Sequence, residues 1–329
     1  MSEDEVVAAL EALCRPASPA GRRIRLGIGD DAALWQPSRS HLSAISTDML
    51  VENVHFTRAL ASLEDIGRRA MAANLSDLAA MGARPVLATI ALGVPPPFDQ
   101  PEILELYRGL TGAAADAKLA IAGGDLSRSE MLTVTIAIVG EVRSSNVKLR
   151  SGGRPGDVLA VTGPLGAARA GLELARGDGR IAGELAEAAL LAFRRPQARG
   201  AQGRFLAASR NVRAMMDCSD GLSTDLARLC IASGCGASLE SVPVAASARA
   251  YAAANGEDPE RFALAGGEDF ELIVAIRARA FGHLAARYEG RFGQALERIG
   301  VLCEGDGVVW DGAPLLRLGW DHFSAGSAS

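Results

Sequence analysis

The chain has 329 residues, enough for two ordinary domains, and its 49% hydrophobic content supports a large core. A net charge of −5 argues against a nucleic-acid-binding surface as the main function. The five cysteines include no C-x-x-C pair, no apolar run reaches membrane-spanning length, and no secretory signal opens the chain. We therefore expect reduced thiols, a cytoplasmic location, and neither a membrane nor a nucleic-acid partner.

The first half of the chain alternates predicted helices and strands. Hydrophobic periodicity predicts helices over 3–13, 63–81 and 102–118. Strands are predicted at 42–45, 86–92, 119–122 and 131–139. Ser62 is the expected N-cap of the middle helix, while Gly82 and Pro85 are expected to end it.

Asp77 lies in that middle helix, on a stripe that otherwise looks buried. Ile66, Ala70, Ala73 and Met81 share its helical spacing. A buried carboxylate is costly unless it is paired or bound to a metal ion. Two interpretations follow, a metal ligand or a carboxylate that caps a neighbouring loop.

The second half begins after a Gly- and Pro-rich boundary at 151–157. Strands are predicted at 158–161, 214–216, 237–242 and 270–276. Helical segments are expected up to about residue 209 and again over 222–233. The tail contains Trp320-Asp321-His322-Phe323 and ends in small residues, which are expected to fray.

Aspartates recur beside glycines at the expected ends of these elements: Asp30, Asp31, Asp48, Asp77, Asp125, Asp217 and Asp220. If such carboxylates converge, each raises the pKa of the others, and hard divalent cations relieve the repulsion. An all-oxygen set favours Mg²⁺, which shares phosphate oxygens with carboxylates. Nearby glycines let backbone N–H groups approach phosphates. The sequence therefore predicts a nucleotide phosphate site, although it has no P-loop, protein-kinase, complete Rossmann or G-x-S-x-G motif.

Seven segments, taken in order, resemble the thiamine-monophosphate kinases of the aminoimidazole ribonucleotide synthetase-like superfamily. They are residues 27–34, 46–51, 55–56, 74–83, 123–125, 217–222 and 266–272. Trp320-Asp321-His322-Phe323 extends the resemblance over nearly the whole chain.

The resemblance implies an α/β fold of two domains with mixed sheets. Residues 1–150 would form an N-terminal ATP- and Mg²⁺-binding and dimerisation domain, and 151–329 a C-terminal domain that completes the active site. Two N-terminal domains would pair in a homodimer and build the nucleotide site near their interface. The implied reaction transfers phosphate directly from ATP to thiamine monophosphate with the help of several Mg²⁺ ions, and it is the last step of thiamine diphosphate biosynthesis.

The same resemblance implies roles for individual residues. The implied Mg²⁺ ligands are Asp31, Thr47, Asp48, Asp77, Asp125, Asp217 and Asp220, with Asp30 less certain. The implied ATP contacts are Ser46, Gly124, Asp125, Arg150 and Ser219. The implied substrate contacts are His55, Glu268 and Trp320. Tyr107 is a guess for the adenine contact, and a surface tyrosine is the alternative.

The physical chemistry agrees with this reaction. A phosphate monoester with a second pKa of about 6 is largely a dianion at neutral pH, so the acceptor needs no general base. His55 could still be a base, a substrate contact or an ordinary loop histidine, and Trp320 could be a packing anchor. Cys218 is interpreted as inert packing rather than as a nucleophile.

Two other functions compete with this one. The first is another synthetase of the superfamily, making aminoimidazole ribonucleotide or selenophosphate. The second is a nucleotide-binding regulatory protein that has lost catalysis, although the whole acidic set is retained. An assay of ADP release with and without thiamine monophosphate separates the three.

Overall fold

A computed structural model describes residues 3–14, 23–26, 34–177 and 180–320 of the chain. The chain divides into two compact units. The first comprises Met1–Leu78 and Ala83–Ser144, and the second comprises Ala79–Gly82 and Ser145–Ser329. Within the described residues, no helix combines the length and the hydrophobicity needed to cross a membrane.

The elements of the first half match the predicted alternation of helices and strands. In chain order they are α1 (Glu3–Leu13), β1 (Ile24–Leu26), β2 (Leu34–Trp35), β3 (Leu42–Val51), α2 (Leu63–Ala80), β4 (Arg84–Val94), α3 (Gln100–Asp116), β5 (Ala120–Arg128) and β6 (Thr133–Val142). Ser62 caps α2 as predicted, because its Oγ accepts the N–H of Asp65 at 3.1 Å. Gly82 follows the helix with a φ of 68°. Helix α3 begins two residues earlier than predicted, because Asp99 and Glu102 form a capping box.

The four-stranded sheet of the first unit has the order β3-β6-β4-β5. Only β4 and β5 are parallel within it. Alternate residues of β6, including Val134, Ile136 and Ile138, are fully buried. The neighbouring strand β3 instead exposes Ile45 and Met49, by 73% and 53%. One face of the sheet therefore belongs to the core, and the other is exposed along β3.

Two of the strands are longer than predicted, and this corrects the expected position of two acids. Strand β3 pairs with β6 over ten consecutive residues, from Leu42–Val142 to Val51–Thr133. Strand β5 pairs with β4 as far as Arg128. Because backbone pairing continues past them, Asp48 and Asp125 lie inside strands and not at strand ends.

The second unit contains a seven-stranded sheet with the order β13-β12-β9-β11-β7-β10-β8. Its elements are β7 (Asp157–Val161), α4 (Ala167–Ala175), α5 (Glu184–Arg194), α6 (Gly200–Ala207), β8 (Val212–Cys218), α7 (Leu222–Ser233), β9 (Gly236–Leu239), α8 (Ala246–Ala254), α9 (Pro259–Leu264), β10 (Glu271–Arg277), α10 (Ala278–Phe292), β11 (Glu297–Cys303), β12 (Val308–Trp310) and β13 (Ala313–Pro314). The β9–β12 pair is parallel and the other pairs are antiparallel.

Both faces of this sheet are covered by helices, as the strand periodicity requires. Ile273 and Ala275 of β10 point into a core cluster that includes Leu226 of α7. The alternate residues Leu272 and Val274 belong to a second cluster, which the helices α6 and α10 complete. Strands β7, β8 and β10 are therefore buried on both sides, so the end of β8 is held rigidly where its acidic residues begin.

Candidate functional site

The first cluster of predicted site residues joins β3 to α2. The Ser46 hydroxyl donates a hydrogen bond to the Asp77 carboxylate. Two residues along β3, the Asp48 N–H donates to Asn74 Oδ1 at 3.2 Å. Asp77 and Asp48 are both half-buried. Helix α2 thus presents an amide and a carboxylate to the β3 residues that the sequence analysis selected.

Strand periodicity places the predicted residues of this sheet on two different faces. Ser46 and Asp48 share the face that meets α2, whereas Thr47 points to the exposed face. The register aligns Met49 with Thr135, then Ala91, then Asp125 in one row across the sheet. Asp125 therefore shares the exposed face with Thr47, and the predicted acids of this unit lie on both faces of the sheet.

Gly124 has a structural reason to be glycine. A Cβ atom added there would lie 2.0 Å from the carbonyl oxygen of Ile90 on the neighbouring strand. Its exposed neighbour Asp125 accepts a hydrogen bond from the Ser127 hydroxyl at 2.9 Å. The close approach of β4 and β5 accounts for Gly124 without a nucleotide.

His55 is positioned by a hydrogen bond within its own loop. Its Nδ1 accepts the N–H of Val51 at 3.0 Å, so Nδ1 carries no proton. The neutral ring therefore carries its proton on Nε2. In that tautomer Nε2 is a donor, which suits a contact to an oxygen and does not suit a general base.

The second cluster of predicted site residues lies where β8 ends and α7 begins. Asp217 is buried in β8, with 3% of its surface exposed. The N–H groups of Ser219 and Asp220 both donate to one oxygen of Asp225, at 2.9 Å each. Arg228 donates to the Asp220 carboxylate and, at 2.8 Å, to the other oxygen of Asp225. Burial and the neighbouring Asp220 charge raise the pKa of Asp225 to about 6.

Two further segments pack against the loop between β8 and α7, residues 219–221, which we call the acidic loop. The Glu268 N–H donates to the Ser219 carbonyl at 2.7 Å, and Glu268 has the left-handed φ of 63°. The Trp320 N–H donates to the Asp220 carbonyl at 3.0 Å. Backbone hydrogen bonds thus join Ser219, Asp220, Glu268 and Trp320, which the resemblance assigned to ATP, metal and substrate contacts.

Two acids beside this loop, the half-buried Asp269 and the buried Glu271, were missed by the sequence analysis. Asp269 accepts the N–H of Gly166 at 2.7 Å and caps the start of α4, and burial raises its pKa to about 7. Glu271 is 2% exposed and forms a two-pronged ion pair with Arg199, whose Nε lies 3.0 Å from Oε2. These contacts fix the strand β10 that follows Glu268.

Several other predicted residues are placed as follows. Asp30 and Asp31 lie outside the described residues. Arg150 is exposed, and its carbonyl accepts the Ser233 hydroxyl hydrogen bond at 3.0 Å. Tyr107 is 3% exposed, so the expectation of a surface tyrosine is wrong. Cys218 is fully buried and its pKa is raised by burial, which fits inert packing.

The described residues contain no group of three or more His, Cys, Asp or Glu side chains arranged to hold a metal ion. Mg²⁺ binds proteins through one or two carboxylates, with waters and substrate phosphates completing its shell. The hydroxyl-bonded pair of Ser46 and Asp77 fits such a partial site, since both groups offer hard oxygen donors.

The most informative missed residues are Asp225, Arg228 and Asn74. Asp225 carried a usable signal, because an acid in the first turn of a helix after Gly221 is a helix-start pattern. Asn74 carried none, because its partner Asp48 is 26 residues away in the chain. Arg228 carried a signal too, since it lies three residues after Asp225 on the same helix, a spacing that predicts an ion pair.

Two protein-family models match this chain, one in its N-terminal part and one in its C-terminal part. The family described as AIR synthase related protein, N-terminal domain, matches residues 29–142, and the corresponding C-terminal domain family matches 154–311. The chain therefore belongs to the AIR synthase related proteins.

Individual relatives narrow that class. A thiamine-monophosphate kinase of Synechococcus elongatus is 35% identical over 98% of this chain and 97% of its own length. A crystal structure of the thiamine-monophosphate kinase of Stenotrophomonas maltophilia has a TM-score of 0.84 at 31% identity, covering 95% of this chain and 98% of that one. A structure described as AaThiL complexed with AMPPCP and TMP has a TM-score of 0.77 at 29% identity and covers 98% and 97%. Within its class, this chain belongs to the thiamine-monophosphate kinase family.

Proposed function

We propose that this protein transfers a phosphate group from ATP to thiamine monophosphate and forms thiamine diphosphate. The observation that carries the proposal is the similarity over nearly the full length to thiamine-monophosphate kinases. One relative binds thiamine monophosphate, the acceptor of this reaction, together with an analogue of ATP, the donor. On this proposal the reaction is the last step of thiamine diphosphate biosynthesis and takes place in the cytoplasm.

The proposed division of labour follows the two units. The first unit would bind ATP and Mg²⁺ through Ser46, Gly124 and its aspartates. The second would complete the active site with Asp217, Ser219 and Asp220, and would meet the thiamine moiety through Glu268 and Trp320. The backbone bonds that join Ser219, Asp220, Glu268 and Trp320 support this grouping.

Mg²⁺ is the proposed metal, because the candidate donors are hydroxyl and carboxylate oxygens. Asp77 with Ser46, and Asp48 beside them, would hold an ion on the α2 face of the sheet. Asp125 and Thr47 would contribute from the other face, and Asp217 and Asp220 from the second unit. When bound, Mg²⁺ offsets the negative charge of the phosphate groups.

The protein needs no general base for this transfer. The acceptor phosphate is largely a dianion at neutral pH and is already a nucleophile. His55 fits this chemistry, because its Nδ1 is occupied by Val51 and its remaining nitrogen carries a proton. We propose that His55 donates a hydrogen bond to substrate and takes no proton from it.

We further propose that two copies of the chain pair through the exposed face of the four-stranded sheet. Ile45 and Met49 expose large apolar side chains there, beside the half-buried Thr135, Ala137 and Val139 of β6. Thr47 and Asp125 lie on the same face. A homodimer formed through it would therefore bring predicted nucleotide contacts next to the interface.

The experiment is an assay of ADP release with purified protein, ATP and Mg²⁺, comparing thiamine monophosphate, free thiamine and no acceptor. We expect turnover with thiamine monophosphate only, because a primary alcohol would need a base that the site does not offer. The rate should also fall below about pH 6, where the acceptor phosphate takes up a proton. Equal kcat/KM for thiamine and its monophosphate would contradict the proposed acceptor, and absence of turnover with any acceptor would support the non-catalytic alternative.

A further inference from the structure

The first turn of α7 contains three consecutive polar residues that are almost completely buried. Ser223, Thr224 and Asp225 expose 1%, 4% and 0% of their surfaces. Buried polar side chains are costly unless they are hydrogen-bonded, and each of these three has a specific backbone partner.

All three side chains accept hydrogen bonds from backbone N–H groups outside their helix. Ser223 Oγ accepts the Leu318 N–H at 3.0 Å, and Thr224 Oγ1 accepts the Gly319 N–H at 3.1 Å. Asp225 accepts the N–H groups of Ser219 and Asp220 at 2.9 Å. One helical turn therefore holds both the acidic loop and the segment that leads into Trp320.

The two segments also touch each other directly. The Trp320 N–H donates to the Asp220 carbonyl at 3.0 Å. A Cβ atom added at Gly319 would lie 1.9 Å from the same carbonyl oxygen and 2.7 Å from Thr224 Oγ1. No residue larger than glycine fits there, so the segment is pressed against the acidic loop.

We propose that Thr224 is a positioning residue, which with Ser223 and Asp225 fixes the backbone of Trp320 against the acidic loop and so sets the site for the thiamine moiety. This inference rests on the proposed function for its substrate. Thr224 does not itself touch substrate. It acts through the Gly319 N–H, and the adjacent Trp320 is the residue expected to contact the thiamine ring.

The test compares Thr224→Val with Thr224→Ser in the full-length protein. Valine keeps the shape but removes the acceptor, so we expect the KM for thiamine monophosphate to rise roughly tenfold, while the KM for ATP changes less than twofold. Serine keeps the hydroxyl and should restore the KM. Thr111→Val is the matched control, because the described hydrogen bonds of the Thr111 hydroxyl stay within its own helix, to the Tyr107 and Arg108 carbonyls.

A second readout does not depend on catalysis. Hydrogen–deuterium exchange of the amides at 318–320 should quicken roughly tenfold in Thr224→Val and stay unchanged in Thr224→Ser and in the control. Gly319→Ala forces the segment away from Asp220, so it should also raise the KM for thiamine monophosphate and quicken the exchange at 318–320. This variant replaces Thr224→Val in the test if the valine variant does not fold.

The outcomes separate the two proposals. Unchanged exchange at 318–320, or faster exchange with an unchanged KM for thiamine monophosphate, would overturn the positioning role. A wild-type protein that does not phosphorylate thiamine monophosphate would overturn the proposed function, and the role in fixing the segment is then decided by the exchange rates alone.

Discussion

Replacement of Glu141 by glutamine tests whether a buried charge organises the first unit. The Glu141 carboxylate is 2% exposed and accepts two hydrogen bonds from Arg23, at 2.7 Å each. Ser38 adds bonds from its N–H and its hydroxyl at 2.8 Å, and Arg84 lies at 3.3 Å. The bonds from Arg23 are the main cause that lowers the pKa of Glu141 from 4.5 to about 2.

That pKa sets the expected magnitude and its dependence on pH. The pKa of Glu141 is lower in the folded protein than in the unfolded chain, so its charge stabilises the fold. This stabilisation is fully present above the pKa of the unfolded chain, and it is lost as the pH falls through the pKa of the folded protein. A difference of about 2.5 between the two pKa values corresponds to about 3 kcal/mol at pH 7. Linkage reduces this contribution to about 1 kcal/mol at pH 3, which lies between the two pKa values.

Urea unfolding at pH 7 and pH 3 measures this difference. Trp35 reports on the first unit, since Arg23 lies 5.4 Å from the centre of its ring, and the two other tryptophans, Trp310 and Trp320, can be replaced by phenylalanine. Glu240→Gln is the matched control, because its ion pair with Arg298 is about half exposed on both sides and should contribute less than about 1 kcal/mol. The reasoning would be refuted if Glu141→Gln lowered the free energy of unfolding no more than the control does. It would also be refuted if the loss of free energy were as large at pH 3 as at pH 7.

Two further predictions concern the proposed site. Asp77→Asn should reduce kcat/KM at least about 100-fold in the ADP-release assay while the thermal midpoint stays equal or rises, because the change removes a proposed Mg²⁺ ligand and relieves repulsion between carboxylates. A lower midpoint with most of the activity retained would instead identify Asp77 as a structural cap. Sedimentation equilibrium at micromolar concentration should show a dimer, and Ile45→Asp should shift it to monomer, because a charge would be buried in the proposed interface. A wild-type monomer, or an Ile45→Asp variant that still dimerises, would contradict pairing through this face.

The parts of the fold that could be predicted are those governed by local rules. The cap of α2 at Ser62 and its end at Gly82 follow from neighbouring residues in the chain, and both are confirmed. Helical periodicity placed Asp77 on a stripe expected to be buried, and the structure shows the residue half-buried. The resemblance of the seven segments to thiamine-monophosphate kinases predicted the family of the chain, and the comparisons confirm this prediction.

What could not be predicted depends on the register of strands and on packing. Asp48 and Asp125 look alike in sequence, yet they lie on opposite faces of one sheet. The register places Asp125 in one row with Met49, which is the residue after Asp48 and points to the other face. The role of Thr224 was equally inaccessible, since its partner Gly319 is 95 residues away. No local pattern encodes which backbone N–H a buried hydroxyl will meet.

The hydrogen-bond partner of each acid indicates its role more clearly than its position in the sequence does. Glu141 and Glu271 are each bound by an arginine, so their charges are already compensated within the protein. The described hydrogen bonds to Asp77 and Asp125 come from serine hydroxyls, which are neutral and leave the negative charge in place. Asp220 is intermediate, because Arg228 binds one of its oxygens. A cation should therefore bind most readily at Asp77 and Asp125, and at Asp220 it must share the carboxylate with Arg228.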